Sequence, residues 1–445
     1  MCCKIMAEKK KIKVVWLCHF SNSFVHERLH LRINPLIWVI RKLFRRSLSL
    51  EVPEFANWIT NGIKEFEKIE EVELHIVSPY PNLKSSIQEF TYNNIHYHFF
   101  LSEEYMLFNF IYKNIFHLSS YSFSRNRRII SKIIKRIQPE VVHMFGAENP
   151  YYSLGILDVP KETVTIAQLQ TLVNDPDFAA NYDAGPEIYK YRANVEYEII
   201  QSADYIGTCA QKFRKIIRDE LNPKAVLLNT TLALQEDVYV ERTEKKYDFV
   251  YFAVNIRKAA DLALEAFGLA YQQHPIITLD IIGGCDTEYK QVLDGIIMKY
   301  GIKDAVTFEG ILPTHDDVIA QIRKSRFALL PLRIDLTSGT IREAMSNGLP
   351  VITTDTGEMG TQKLNVSRLN ALISPIGDHQ ALADNIQKLL NDDQLAETLR
   401  ENAIQTRLEV QSNKEIAKWY VAVYKACIDN HKNNIPLPKE VTELL

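Results

Sequence analysis

Short apolar runs alternate with helical stretches almost from end to end of this chain, and that alternation constrains its fold more than any other feature. Runs such as 13–18 (KVVWLC) and 350–353 (PVIT) show no polar face, as expected of strands buried on both sides of a sheet. Strands separated by helical stretches pair in parallel through βαβ crossovers. The expected class is therefore α/β, with doubly wound sheets. In the first half the candidate strands are 13–18, 72–77, 141–144, 163–167, 204–207 and 225–228. In the second they are 248–253, 277–282, 305–308, 327–331, 350–353 and 371–373.

A chain of 445 residues exceeds one ordinary domain and suits two of about 200 residues each. The stretch 235–247 (QEDVYVERTEKKY) is polar, lacks an apolar face, and is read as the linker. This gives an N-terminal Rossmann-like domain at 1–235 and a second at 248–411. A final helix at 412–430 opens on Ser412 and Glu415 in capping-box spacing and carries a stripe of Ile416, Trp419, Tyr420, Val423, Tyr424 and Cys427. Because it follows the completed second sheet, it is expected to pack back across the domain junction.

The net charge of -3 argues against general nucleic-acid binding. Six cysteines show neither a CxxC pair nor Cys/His metal-ligand spacing, which suits a reduced cytoplasmic chain. Residues 1–18 contain no signal core, and no apolar run approaches the roughly 20 residues of a spanning helix. The expected location is cytoplasmic, with peripheral contact on the inner face of an anionic membrane as an option through basic stretches at 32–46 and 125–136. In the second stretch Ile129, Ile130, Ile133, Ile134 and Ile137 form a stripe that also reads as a core face. The aromatic run 107–116 is a candidate acceptor groove.

The segment richest in chemistry is 327–357, FALLPLRIDLTSGTIREAMSNGLPVITTDTG. A buried strand leads through a loop to a helix beginning near Gly339, and Gly348 suits its carboxyl cap. In open α/β sheets ligands sit beyond the carboxyl ends of strands, where a helix amino terminus offers free N-H groups and partial positive charge. Thr337, Ser338, Gly339 and Thr340 are small enough for a diphosphate to approach their backbone. Glu343, one turn on, is placed to accept hydrogen bonds from a ribose.

These residues resemble the donor-site signature of the retaining glycosyltransferase family 4 (glycosyl transferases group 1). The resemblance implies a GT-B fold, two Rossmann-like domains facing each other across a cleft, with the acceptor on the first and the donor nucleotide on the second. It implies retaining transfer of a sugar from a nucleoside-diphosphate sugar to a hydroxyl of a glycan or glycolipid, in polysaccharide or cell-envelope glycan synthesis. In the family's E-x7-E pair the second member falls on Glu343 and the first on Asp335, one methylene shorter. The run EAMSNGLPVI after Glu343, and the segments 258–267, 283–284 and 370–390, extend the resemblance over the second half. Arg257 and Lys258 match phosphate-binding positions, although the usual Lys-Gly pair reads Lys258-Ala259. Val141, Val142 and His143 resemble a strand ending in a His-containing loop that faces the donor sugar, which makes His143 a candidate beside Asp335. Glu148 is the competing acceptor-side candidate, and residues 19–22 replace the usual Gly-rich turn.

Asp175-Pro176-Asp177 spells the D-x-D that holds a metal in the other glycosyltransferase fold, and here it is read as a loop. No cofactor and no essential metal are expected, the nucleotide sugar being a co-substrate. Two other classes remain. A nicotinamide oxidoreductase would need the G-x-G-x-x-G that 18–24 lacks, and a non-catalytic sugar-nucleotide sensor would bind a donor without turnover.

Overall fold

The computed structural model describes residues 11–32, 54–103, 122–180, 185–234, 237–334, 338–357 and 359–444. The expectations for 32–46 (beyond Arg32), 107–116, Asp335 and Thr337 lie outside these residues. The first sheet has eight strands: β1 (Ile12–Leu17), β2 (Val72–Tyr80), β3 (Ile87–Tyr92), β4 (Ile95–Leu101), β5 (Val141–Phe145), β6 (Val164–Gln168), β7 (Tyr205–Gly207) and β8 (Leu227–Leu228). Their order is β3-β4-β2-β1-β5-β6-β7-β8. All neighbours are parallel except β3 and β4. The second sheet holds β9 (Tyr247–Phe252), β10 (Leu279–Ile282), β11 (Val306–Gly310), β12 (Ser325–Leu329), β13 (Val351–Thr354) and β14 (Ala371–Ser374), all parallel, in the order β11-β10-β9-β12-β13-β14. Two parallel-sheet α/β domains result, as the alternation predicts.

The order reverses at β1/β5 in one sheet and at β9/β12 in the other. Such switch points open a crevice beyond the strand ends, which is where doubly wound sheets bind ligands.

Strands β3 and β4 are absent from the set expected on sequence. They form a hairpin whose two-residue turn, Asn93-Asn94, has φ of 45° and 65°. Both values are positive, the requirement of a type I′ turn that asparagine tolerates.

Among the helices that surround the site or close the core are α1 (Asn57–Phe66), α2 (Ser124–Ile137), α3 (Pro186–Ser202), α4 (Ala260–Gln273), α5 (His315–Ile322), α6 (Gly339–Ser346) and α7 (Asn413–Asn433). In α2 the side chains of Ile130, Ile133, Ile134 and Ile137 are buried against one face of the first sheet. Of its basic residues, Arg127 pairs with Asp158 and Arg136 with Glu89, while Arg128, Lys132 and Lys135 are at least partly exposed. Among the described residues no helix is long and apolar enough to cross a membrane.

Helix α7 returns to the first sheet after the second is complete. It opens on a capping box from Ser412 and Glu415. Ile416, Tyr420, Val423, Tyr424 and Cys427 join the cluster that contains Val14, Trp16 and Phe145, each large apolar side chain contributing roughly 1.5–3 kcal/mol over exposure. Direction comes from hydrogen bonds: Trp16 Nε1 donates to the Tyr424 hydroxyl (2.9 Å), Trp419 Nε1 to the Asn229 carbonyl (2.8 Å) and the Tyr420 hydroxyl to the Thr231 carbonyl (2.6 Å).

Candidate active site

A cavity of about 680 Å³ lies between the two sheets, within the range of small-ligand sites. Arg257, Lys258, His315, Gly339, Thr340 and Glu343 line it from the second half, and Glu148, Asn149, Gln170 and Arg192 from the first.

Helix α6 points its amino end into this cavity. Among the described residues no side chain caps it, so its first N-H groups are open to a ligand, and Gly339 leaves them unshielded, since a Cβ built there would meet only Glu343 Oε1, at 3.8 Å. Ser338 is fully buried and serves differently: its Oγ lies 2.9 Å from Thr340 Oγ1, and Lys258 Nζ donates to these oxygens at 3.4 and 3.3 Å. The two hydroxyls thus hold the ammonium at the helix end, where helix dipole and lysine both favour an anion.

The loop after β9 that carries Arg257 and Lys258 is clamped from below. Asn255 Oδ1 accepts from Lys258 N (2.9 Å) and the Tyr251 hydroxyl donates to the Lys258 carbonyl (2.9 Å). Arg333 donates its backbone N-H to the Arg257 carbonyl (2.9 Å) and its guanidinium to the Ile256 carbonyl (2.8 Å), while gripping Asp261 with two bonds of 2.8 and 2.6 Å. Burial alone would raise the Asp261 carboxyl, but hydrogen bonds from Arg333 and Tyr289 hold it below the ordinary range. Sequence reading misses this clamp, whose two ends lie 72 residues apart.

Glu343 sits one turn along α6 with 17% of its side chain exposed, and Nε2 of His315, at the start of α5, stands 4.0 Å from its Oε1. Across the cavity, Glu148 is placed by the turn after β5, where Gly146 has φ 90° and a Cβ would collide with the Glu148 carboxyl at 2.7 Å. Its Oε1 accepts from Asn149 Nδ2 (3.1 Å), and its buried Oε2 makes no hydrogen bond among the described residues. Burial raises the Glu148 carboxyl above its ordinary range, with the charges of Arg192 and Arg257 opposing.

The structure does not bring His143 to the cavity. Strand alternation turns Val142 and Met144 toward α2, and His143 toward α7, where its Nδ1 lies 2.7 Å from the Tyr424 hydroxyl. It is 1% exposed, and burial pushes its pKa down to about 3, so it is a neutral core residue. In the D-x-D, Lys212 Nζ lies 2.7 Å from Asp175 and 2.6 Å from Asp177, and Asp177 N donates to Asp175 Oδ1 (2.9 Å), closing a local turn. At residues 19–22, His19 packs against Phe55 and Tyr151, and Asn22 caps a short helix.

Residues 235–406 match the family model of glycosyl transferases group 1. An uncharacterized glycosyltransferase of Methanocaldococcus jannaschii is 24% identical over 344 residues, covering 74% of this chain and 88% of that protein. Among solved structures, sucrose-phosphate synthase from Thermosynechococcus elongatus superposes with a TM-score of 0.64 at 15% identity, covering 94% of this chain and 98% of that one. HepE from Anabaena, in complex with UDP and glucose, gives 0.58 at 11% identity, covering 93% and 100%. Fold, matched region and relatives agree, and the chain is a glycosyltransferase enzyme of the GT-B fold, with its group 1 match spanning residues 235–406.

Proposed function

We propose that this enzyme moves a sugar, with retention, from a nucleoside diphosphate to a hydroxyl of a glycan or glycolipid acceptor, and that the second domain holds the donor. The observation that carries this reading is the convergence of Lys258, Arg257 and the amino end of α6, which no side chain of the described residues caps, on one wall of the cavity, with Glu343 one turn beyond. The leaving diphosphate gains charge as the glycosidic bond breaks, and donors already aimed at it stabilise that change without reorganising. Gly339 and Thr340 supply backbone N-H groups, Lys258 and Arg257 supply charge, and Glu343 accepts from the ribose. Asp335, four residues before Gly339 in the sequence, takes the other acidic position on the strength of sequence resemblance alone.

Glu148 belongs to the sugar side of the cavity in this reading. A buried carboxyl oxygen without a hydrogen bond from the described residues accepts a sugar hydroxyl at little desolvation cost, because that cost is already met in the folded protein. No metal is assigned a role in the transfer, since Asp175 and Asp177 share Lys212.

The test is a donor screen. Because HepE is in complex with UDP and glucose, UDP-sugars are the first donors to try. A nucleotide sugar at about 100 times its Kd is expected to stabilise the protein by about 2.7 kcal/mol, and the product formed with a glycan acceptor is expected to keep the anomeric configuration of the donor. Stabilisation without turnover across acceptors would favour a sugar-nucleotide sensor, and an inverted product would overturn retention.

A further inference from the structure

At the end of the first sheet opposite the cavity, near the amino ends of β1, β2 and β4, polar side chains line one face where apolar ones are the rule. His75 on β2 stands directly opposite His96 on β4, with Glu73 two residues before His75 and His98 two after His96. The rings are nearly parallel, His75 and His96 lying 4.5 Å apart between centroids and His75 and His98 5.3 Å apart.

These groups form a chain of contacts that ends on a carboxylate at each side. Glu73 Oε1 lies 3.1 Å from His75 Nε2, His75 Nδ1 lies 3.0 Å from His98 Nε2, and His98 Nδ1 lies 2.7 Å from Glu89 Oε1. Arg136 reaches His98 Nδ1 only at 3.4 Å while bonding Glu89. Two neutral imidazoles carry two protons, and three contacts need three. The shortest contact takes the His98 Nδ1 proton for Glu89, and His98 Nε2 then accepts from His75 Nδ1. What remains is a lone pair on His75 Nε2 facing the Glu73 carboxylate. Lys13 Nζ pairs with Glu73 Oε1 only as an ion pair at 3.7 Å, too long to donate a hydrogen bond, so that a bound cation would have to displace it.

We propose that Glu73, His75 and His96 bind a divalent transition-metal ion, zinc by preference, in that gap. Their ligand atoms lie within 4.8 Å of one another, and two nitrogens with one carboxylate oxygen suit zinc. The 3.1 Å between His75 Nε2 and Glu73 Oε1 is spanned by two bonds of about 2.1 Å meeting at about 100°. His96, half-exposed, closes from the wider separation. The outer partners are in place: His98 and Glu89 orient His75, and Thr91 Oγ1, 3.0 Å from His96 Nδ1, orients His96. Bound there, the ion ties β2 to β4 and leaves a position for water. It takes no part in sugar transfer, which lies at the other ends of the strands.

The experiment is calorimetric titration of zinc into the full chain after chelation and dialysis, with cobalt as a spectroscopic probe. One ion per chain with a Kd of micromolar or below is expected. His96→Ala and Glu73→Gln, both at partly exposed positions, should each weaken binding at least 10-fold, and Glu89→Gln about 10-fold through its hold on the histidines. Cobalt should show d-d bands without a thiolate charge-transfer band. Binding equal in wild type and both ligand variants, a thiolate band, or no binding at 100 μM zinc would each overturn the proposal.

Discussion

Replacing Glu343 by Gln keeps the volume of the side chain and removes its charge. Glu343 lies on α6 four residues after Gly339, on the same cavity wall as Lys258 and Arg257, with 17% of its side chain exposed. If it accepts two hydrogen bonds from ribose hydroxyls, the substitution turns two charge-assisted bonds into neutral ones or loses them, at a cost of about 2 to 4 kcal/mol. That corresponds to roughly 30- to 1000-fold in kcat/KM. Stability should change much less than activity, because the amide keeps the side-chain volume and still accepts hydrogen bonds, and the Tm checks that the variant is folded. Donor kinetics and the Tm of this one variant are therefore sufficient. A folded variant with near-normal kcat/KM would remove Glu343 from the site and undo the assignment of the helix end with it.

Lys258→Ala should weaken a nucleoside diphosphate by about 10- to 150-fold, the worth of one charge-assisted bond of about 1.5–3 kcal/mol, while sparing the bare nucleoside; equal losses in calorimetry would make the lysine structural. EDTA should leave most donor turnover intact, and complete loss restored by manganese would return a metal role to Asp175 and Asp177. His143 has a folded pKa of about 3 against 6.5 when exposed. Its contribution to stability is therefore complete above pH 6.5 and is lost as pH falls below that, by about 2 kcal/mol at pH 5. Denaturant midpoints between pH 7.5 and 5 should fall less steeply for His143→Phe, and parallel slopes would contradict its placement.

Much of this architecture is legible in the chain because burial on both faces leaves an unbroken apolar run. All six strands of the second sheet overlap expected ones, most for that reason, while the edge strand β11 is only partly buried and shows a shorter apolar signal. The opening of α7 is equally plain, since a capping box is written in residues three apart. The β3-β4 hairpin escapes the apolar-run criterion, although Asn93-Asn94 between two aromatic runs carries its signal. The orientation of His143 has no local signal: both faces of β5 are buried, and the one that carries His143 is covered by a helix about 280 residues later, whose Tyr424 holds the ring. The clamp of Arg333 on Asp261 is of the same kind, because tertiary pairing joins two positions that look like ordinary surface charges in sequence.

The return of α7 to the first sheet bears on how the protein is made. Phe145 and Trp16 pack against Tyr420, yet Tyr420 leaves the ribosome 275 residues after Phe145. At about 5–20 residues per second that interval lasts roughly 14 to 55 seconds, during which the entire second domain can form while one face of the first stays bare. The half made first is thus the half completed last. A nascent chain truncated before Ser412 should expose that aromatic face and aggregate or recruit a chaperone, whereas the same helix supplied in trans as a peptide should restore its solubility.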